Sequence, residues 1–174
     1  MPTDNRSPSK LSPIAQELGK RNPFELLEEE VFVGLLRTSD MLTAGFNRLF
    51  EEQGFSEKLY NTLRIIAGES ETHKWGVPVG VIKQRLVCRQ PDTSRLVDRL
   101  VNLGFAERNT CTEDARKSLV RVTSSGRAML RKLKEPVLQQ HREQLAGLSR
   151  KQLEDLGRLL DAVRASVAKM SAEE

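Results

Sequence analysis

The chain has 174 residues, 30% of them charged and 38% hydrophobic, enough for one globular domain, or for one compact lobe with a helical appendage. No apolar run approaches the ~20 residues of a membrane span, the opening "MPTDNRSPSK" has neither the apolar stretch nor the cleavage site of a secretory signal, and the two cysteines stand far apart with no metal-ligand pattern beside them. These features argue against a membrane protein, an exported disulfide scaffold and a zinc module, and make the cytoplasm the expected compartment. The net charge of +4 is unevenly spread, since residues 75–133 hold 12 Lys or Arg against 5 Asp or Glu, and a basic block of this kind is the electrostatic footprint of a phosphate-binding face.

In chain order, residues 1–22 mix Pro, Ser, Thr and charges and are expected to form a loosely ordered arm. From Pro23 the apolar positions Leu27, Val31, Leu35, Leu42, Phe46 and Leu49 recur at helical spacing and predict one long helix that stops near Gly54. Ser56 suits the cap of a second helix that buries Leu59, Leu63 and Ile66. After the polar loop "ESETHKWG", a short helix is predicted over residues 79–87 with Val81, Ile82 and Leu86 inward. Pro91 then suits the first turn of a helix over residues 91–103, with Leu96, Val97, Leu100, Val101 and Leu103 inward and Thr93, Ser94, Arg95, Asp98, Arg99 and Asn102 outward. Gly104 stands where a left-handed residue ends a helix at little cost.

Residues 105–108 and 118–122 read as the arms of a hairpin, with Val120 and Val122 on one side and Leu119 and Arg121 on the other. Thr123 can cap the next helix, which Pro136 is expected to bend or interrupt. "SRKQ" is a capping box on Ser149 and Gln152, and it announces a last helix with Leu153, Leu156, Leu160, Val163 and Val167 along one face. The fold class is therefore mainly α with a small β-hairpin: a winged helix-turn-helix core with long N- and C-terminal dimerisation helices, whose apolar stripes a second copy would cover. The expected division is an arm at 1–22, the N-terminal helix of the dimerisation region at 23–54, a DNA-binding lobe at 55–127, and C-terminal dimerisation helices at 128–174.

In such a lobe the second helix of the helix-turn-helix enters the major groove and its N-terminal residues reach the base edges. Here those are Thr93, Ser94 and Arg95, with Arg99 one turn on; arginine can bond two guanine acceptors at once. Three roles are open to Asp98: pairing with Arg95, pairing with Arg99, or holding a neighbouring element. The hairpin supplies Arg108, Arg116 and Lys117 for the DNA, with Asp114 as the carboxylate that orients an arginine of the wing. Lys83, Arg85 and Arg89 are candidates for phosphate contacts, which set register without reading sequence.

The segments "LYNTLRIIAGE", "GVPVGVIKQRLVCRQPDTSRLVDRLVNLGFAER", "EDAR" and "VRVTSSGRAML" resemble, in matching order, the MarR family of transcriptional regulators. The resemblance runs from about residue 25 to the C-terminus and is most specific over residues 91–126. It implies a homodimer of winged lobes on a pseudo-palindromic double-stranded DNA operator, often a repressor released by a small lipophilic or phenolic effector or by an oxidant. It also implies that Ser94, Arg95 and Arg99 occupy recognition-helix positions, and that Asp114 and Arg116 form the acidic-x-Arg pair of the wing. Asn109 after Arg108, and Ala115 between Asp114 and Arg116, thin the basic pattern usual for that wing and shift weight to Lys117.

Other residues carry less. Arg89 would favour a thiolate at Cys88, and Cys111 sits at the wing tip, but a buried small hydrophobe is the commoner role for a free cysteine. His73 and His141 lack partners at ligand spacing, so no metal or other cofactor is expected. Trp75 could stack on an effector, although a lone Trp beside a helix start more often closes the core. Ser94 and Ser124 lack a nucleophile elbow and no Gly-rich phosphate loop occurs, so the chain does not read as an enzyme. The rival reading is a winged-helix protein-binding adaptor without DNA affinity, supported by outward Asp98 and the thinned wing. The sequence does not locate the effector site.

Overall fold

The computed structural model describes residues 11–73, 75–87, 92–110 and 118–172, and the chain divides into two units, Met1–Glu57 and Lys58–Glu174. In the first unit, α1 (Pro13–Glu17) begins behind Ser12, whose hydroxyl accepts the Ala15 N–H at 3.4 Å. Pro13 fills the first turn, where no backbone donor is needed. The sequence pattern assigns no element to this stretch of the arm. The expected long helix is α2 (Leu27–Glu51), with Glu28, Glu29 and Glu30 in the first turn, at the positive end of the helix dipole. Arg37 of α2 donates to Glu17 of α1 at 2.6 Å, and that hydrogen bond, reinforced by the carboxylate charge, raises the guanidinium pKa further. Leu26, Leu27, Val31, Phe32, Leu36 and Met41 are 46–64% exposed, an apolar surface with no cover in the single chain.

The second unit holds the rest of α3 (Glu57–Glu69), then β1 (Val77–Pro78), α4 (Val79–Arg85), α5 (Thr93–Asn102), β2 (Ala106–Thr110), β3 (Ser118–Val122), α6 (Ser124–Gln144) and α7 (Arg150–Met170). Its three strands pair antiparallel in the order β1-β3-β2, with Val120 of β3 opposite both Val77 and Arg108. β1 is not foreseen from the sequence because two residues, one of them proline, offer no alternation to read. As an edge strand it tolerates the missing N–H. Being central, β3 buries the adjacent residues Leu119 and Val120 alike, so the simple in-and-out alternation expected of a hairpin does not hold there.

Leu59, Leu63, Ile66, Val77, Ile82, Val97, Leu100, Val120 and Leu133 are at most 1% exposed. Each such side chain contributes roughly 1.5–3 kcal/mol of burial. Leu103, expected inward, is exposed because α5 ends at Asn102 and the chain turns away. Pro136 neither ends nor splits α6; Leu133 and Val137 are buried on either side of it and hold the helix across the missing amide. The capping box of α7 is as expected: Ser149 Oγ accepts the Gln152 N–H at 3.3 Å while Gln152 Oε1 accepts the Ser149 N–H at 2.8 Å. Leu153, Leu156, Val163 and Val167 on α7 remain 37–56% exposed. Among the described residues no helix is long and apolar enough to cross a membrane.

Candidate nucleic-acid interface

α5 is a ten-residue helix with two distinct faces. Val97 and Leu100 are fully buried, and Ser94, Arg95, Asp98, Arg99 and Asn102 are exposed. Positions 94, 95, 98, 99 and 102 follow helical spacing and form one stripe. At 1.5 Å per residue the stripe spans roughly 12 Å, about the width of a B-DNA major groove. Thr93 departs from the expectation: it is 4% exposed, because the first position of α5 turns toward the core and not toward the stripe. It is therefore corrected from a DNA-contacting residue to an interior one.

The charges of the stripe are differently committed. Arg95 pairs with Asp92 just before the helix at 3.1 Å. Asp98 takes the third of its open roles, accepting from Arg108 of β2 at 2.7 and 3.1 Å, while Arg108 also donates to Ser118 on β3. Arg108 is thus engaged in fixing the wing against α5, which differs from its expected position on the DNA. Arg99 has no carboxylate partner among the described residues and points its charge outward. Lys83 is exposed on α4, whereas Arg85 is drawn to Glu69 of α3 at 3.2 Å, a carboxylate that also lies 3.8 Å from His73. Asp114, Arg116 and Lys117, with Cys88, Arg89 and Cys111, lie outside the described residues.

The end of α5 is fastened to the start of α6. Gly104, at φ +73°, reverses the chain, and the Phe105 N–H donates back to the Leu100 carbonyl at 2.9 Å. Thr123 Oγ1 donates to the Gly104 carbonyl at 2.6 Å and accepts the Gly126 N–H at 3.1 Å, while the Thr123 N–H donates to the Phe105 carbonyl at 3.1 Å. A Cβ on Gly126 would stand far inside contact distance of that carbonyl and 3.0 Å from Val122 Cγ2. Trp75, expected to close the core, is 82% exposed. It lies in the turn closed by the Gly76 N–H on the His73 carbonyl, and Val77 fills the core instead.

No protein-family model matches the chain. Among solved structures, the MarR transcription factor from Planctomyces limnophilus is 34% identical over 80% of this chain and 98% of its own, with a TM-score of 0.60. The chain belongs to the MarR family of transcription factors. A mutant MarR from E. coli complexed with operator DNA shares the fold at 22% identity, over 80% of this MarR-family chain and 99% of its own, with a TM-score of 0.66. So does the organohalide-sensing regulator RdhR in its 2,4-dichlorophenol-bound form, at 14% identity over 84% and 86% of the two chains, with a TM-score of 0.72. As a MarR-family member the chain is a transcription regulator and not an enzyme.

Proposed function

We propose that this chain is a cytoplasmic, sequence-specific repressor that binds double-stranded DNA as a homodimer and lets go when a small-molecule effector binds. The observation that carries the reading is the exposed stripe of α5, where Ser94, Arg95 and Arg99 share one face of a winged lobe. Arg99 is free to meet guanine, and Arg95 can exchange Asp92 for a base. Arg108 acts through position, by holding the wing. Its pair with Asp98 also removes a main support for the adaptor reading, since that carboxylate is occupied within the lobe and does not face a phosphate alone. Arg116 and Lys117 are proposed as wing contacts and Asp114 as the carboxylate that orients them.

The uncovered apolar rows of α2 and α7 support pairing of two chains, and a two-fold pair would meet successive major grooves about 34 Å apart on a pseudo-palindromic operator. The bound form of RdhR supports a small lipophilic or phenolic effector. The test is selection of genomic fragments by the purified chain, with sedimentation to read its mass. A palindromic motif and a dimer are expected, Arg99→Ala relaxes base preference at one position per half-site by ~1–3 kcal/mol, and Lys83→Ala lowers the log–log salt slope by ~0.9 for each phosphate it no longer neutralises, or ~1.8 for a dimer. A monomer, or a parent chain that holds every duplex equally, would overturn the reading.

A further inference from the structure

Away from the DNA-facing stripe, α3 and α6 enclose a trough of about 520 Å³. Its charged lining comes from Arg64 on α3 and from Arg131, Lys134 and His141 on α6, and among the described residues no carboxylate contributes to it. Such crowding of like charge is unusual on these helices: elsewhere on α6, Arg142 is drawn to Glu135 at 2.9 Å, whereas Arg131 and Lys134 have no carboxylate partner among the described residues. Leu130, Val137 and Leu138 form an apolar wall. Tyr60 completes the lining, with the Arg64 guanidinium 5.7 Å from its ring centroid. A concave site of one sign beside a low-dielectric wall concentrates potential on whatever enters it.

We infer that this trough binds a small amphiphile with a ring-sized apolar body and a dianionic head such as a phosphate monoester. A single carboxylate would neutralise one of three permanent cations. A phosphate monoester brings a charge of about −1.5 to −2 and three acceptor oxygens, which matches two guanidinium forks and an ammonium. The apolar body lies on Leu130, Val137 and Leu138. The helix that supplies most of the lining is also the one whose first turn is fastened to the end of α5 through Thr123 and Gly126, so a ligand that shifts α6 acts on the recognition helix. That regulatory consequence rests on the effector reading above; the binding itself does not.

Calorimetric titration of the full chain without DNA, near neutral pH, separates the two. The probes are naphthyl phosphate, naphthoate and naphthol, which share one apolar body and differ in head charge. The phosphate should bind at least about tenfold, or ~1.4 kcal/mol, more tightly than naphthol, with naphthoate between them. In the double variant Arg131→Gln, Lys134→Gln the phosphate should fall to the affinity of naphthol, while naphthol binding and operator affinity are retained. Equal affinities across the series, no heat from the phosphate at millimolar concentration, or an unchanged phosphate affinity in the folded double variant overturns the assignment. So does a double variant that flattens the salt dependence of operator binding, which would give the trough to DNA. None of these results bears on whether α5 reads DNA.

Discussion

Replacing Gly126 with alanine tests the junction between the recognition helix and α6. The added Cβ would collide with the Phe105 carbonyl, a backbone atom that cannot swing aside, and would press on Val122 Cγ2 at 3.0 Å. Overpacking of this kind costs ~1–3 kcal/mol. Moving the Phe105 carbonyl also endangers the bond it accepts from the Thr123 N–H at 3.1 Å, worth ~1 kcal/mol net. Against this, alanine is the better helix former by ~0.8–1.0 kcal/mol. The balance is a loss of ~1–3 kcal/mol, which at about 2–4 °C per kcal/mol lowers Tm by roughly 2–12 °C. Thermal unfolding followed by circular dichroism at fixed protein concentration reads the shift, with Gly157→Ala as the control. Gly157 sits inside α7 with nothing within 4 Å of its added Cβ, so there propensity acts alone and Tm should rise by about 2–4 °C. A Gly126→Ala protein as stable as the parent would refute the reasoning, because it would mean the α5–α6 junction has slack.

Three further outcomes follow from the same geometry. Ser149→Ala removes the hydroxyl that accepts the Gln152 N–H and should cost ~1 kcal/mol, read as a lower Tm, whereas Ser149→Asp should retain most of the stability. Tyr60 is the single tyrosine, and burial raises its pKa while the Arg64 charge pulls it back; ultraviolet titration should give a midpoint above the ordinary value of about 10, higher still in Arg64→Leu. Because the folded pKa exceeds the unfolded one, this contribution to stability is complete below the unfolded value and lost as pH rises through the folded value. Asp98→Asn should cost only ~0.2–1 kcal/mol of stability, the pair being partly exposed. It should nevertheless weaken operator binding by about fivefold, ~1 kcal/mol, by loosening the wing; unchanged operator affinity would show that Arg108 does not position it.

Local chemistry makes much of the architecture legible in the sequence. Ser149 with Gln152, Thr123 before a helix and Gly104 after one are signals completed within a few residues, and the structure forms an element boundary at each. The buried positions Leu59, Leu63, Ile66, Ile82, Val97 and Leu100 follow from periodicity for the same reason. Choices among distant partners do not: Asp98 could take Arg95, Arg99 or Arg108, and only the packing of β2 on α5 decides for Arg108. Thr93 turns inward against expectation because pattern alone cannot fix the rotation of a short helix to within one residue at its first turn. The trough is hidden in the sequence because Arg64 and Arg131 are separated by the whole winged region, and His141, expected at an ordinary surface position, acquires its setting only from α3.

The Thr123 hydroxyl spans Gly104 and Gly126 with one bond on each side, and this arrangement constrains how the molecule could diverge. Two helices joined by a single oxygen atom have no tolerance for extra length where they meet. An inserted residue beside Phe105 or Val122 would uncouple them, while the far tip of the hairpin could lengthen freely. Variation in natural versions of this lobe should therefore gather at the tip, with the oxygen bridge kept as a serine or threonine.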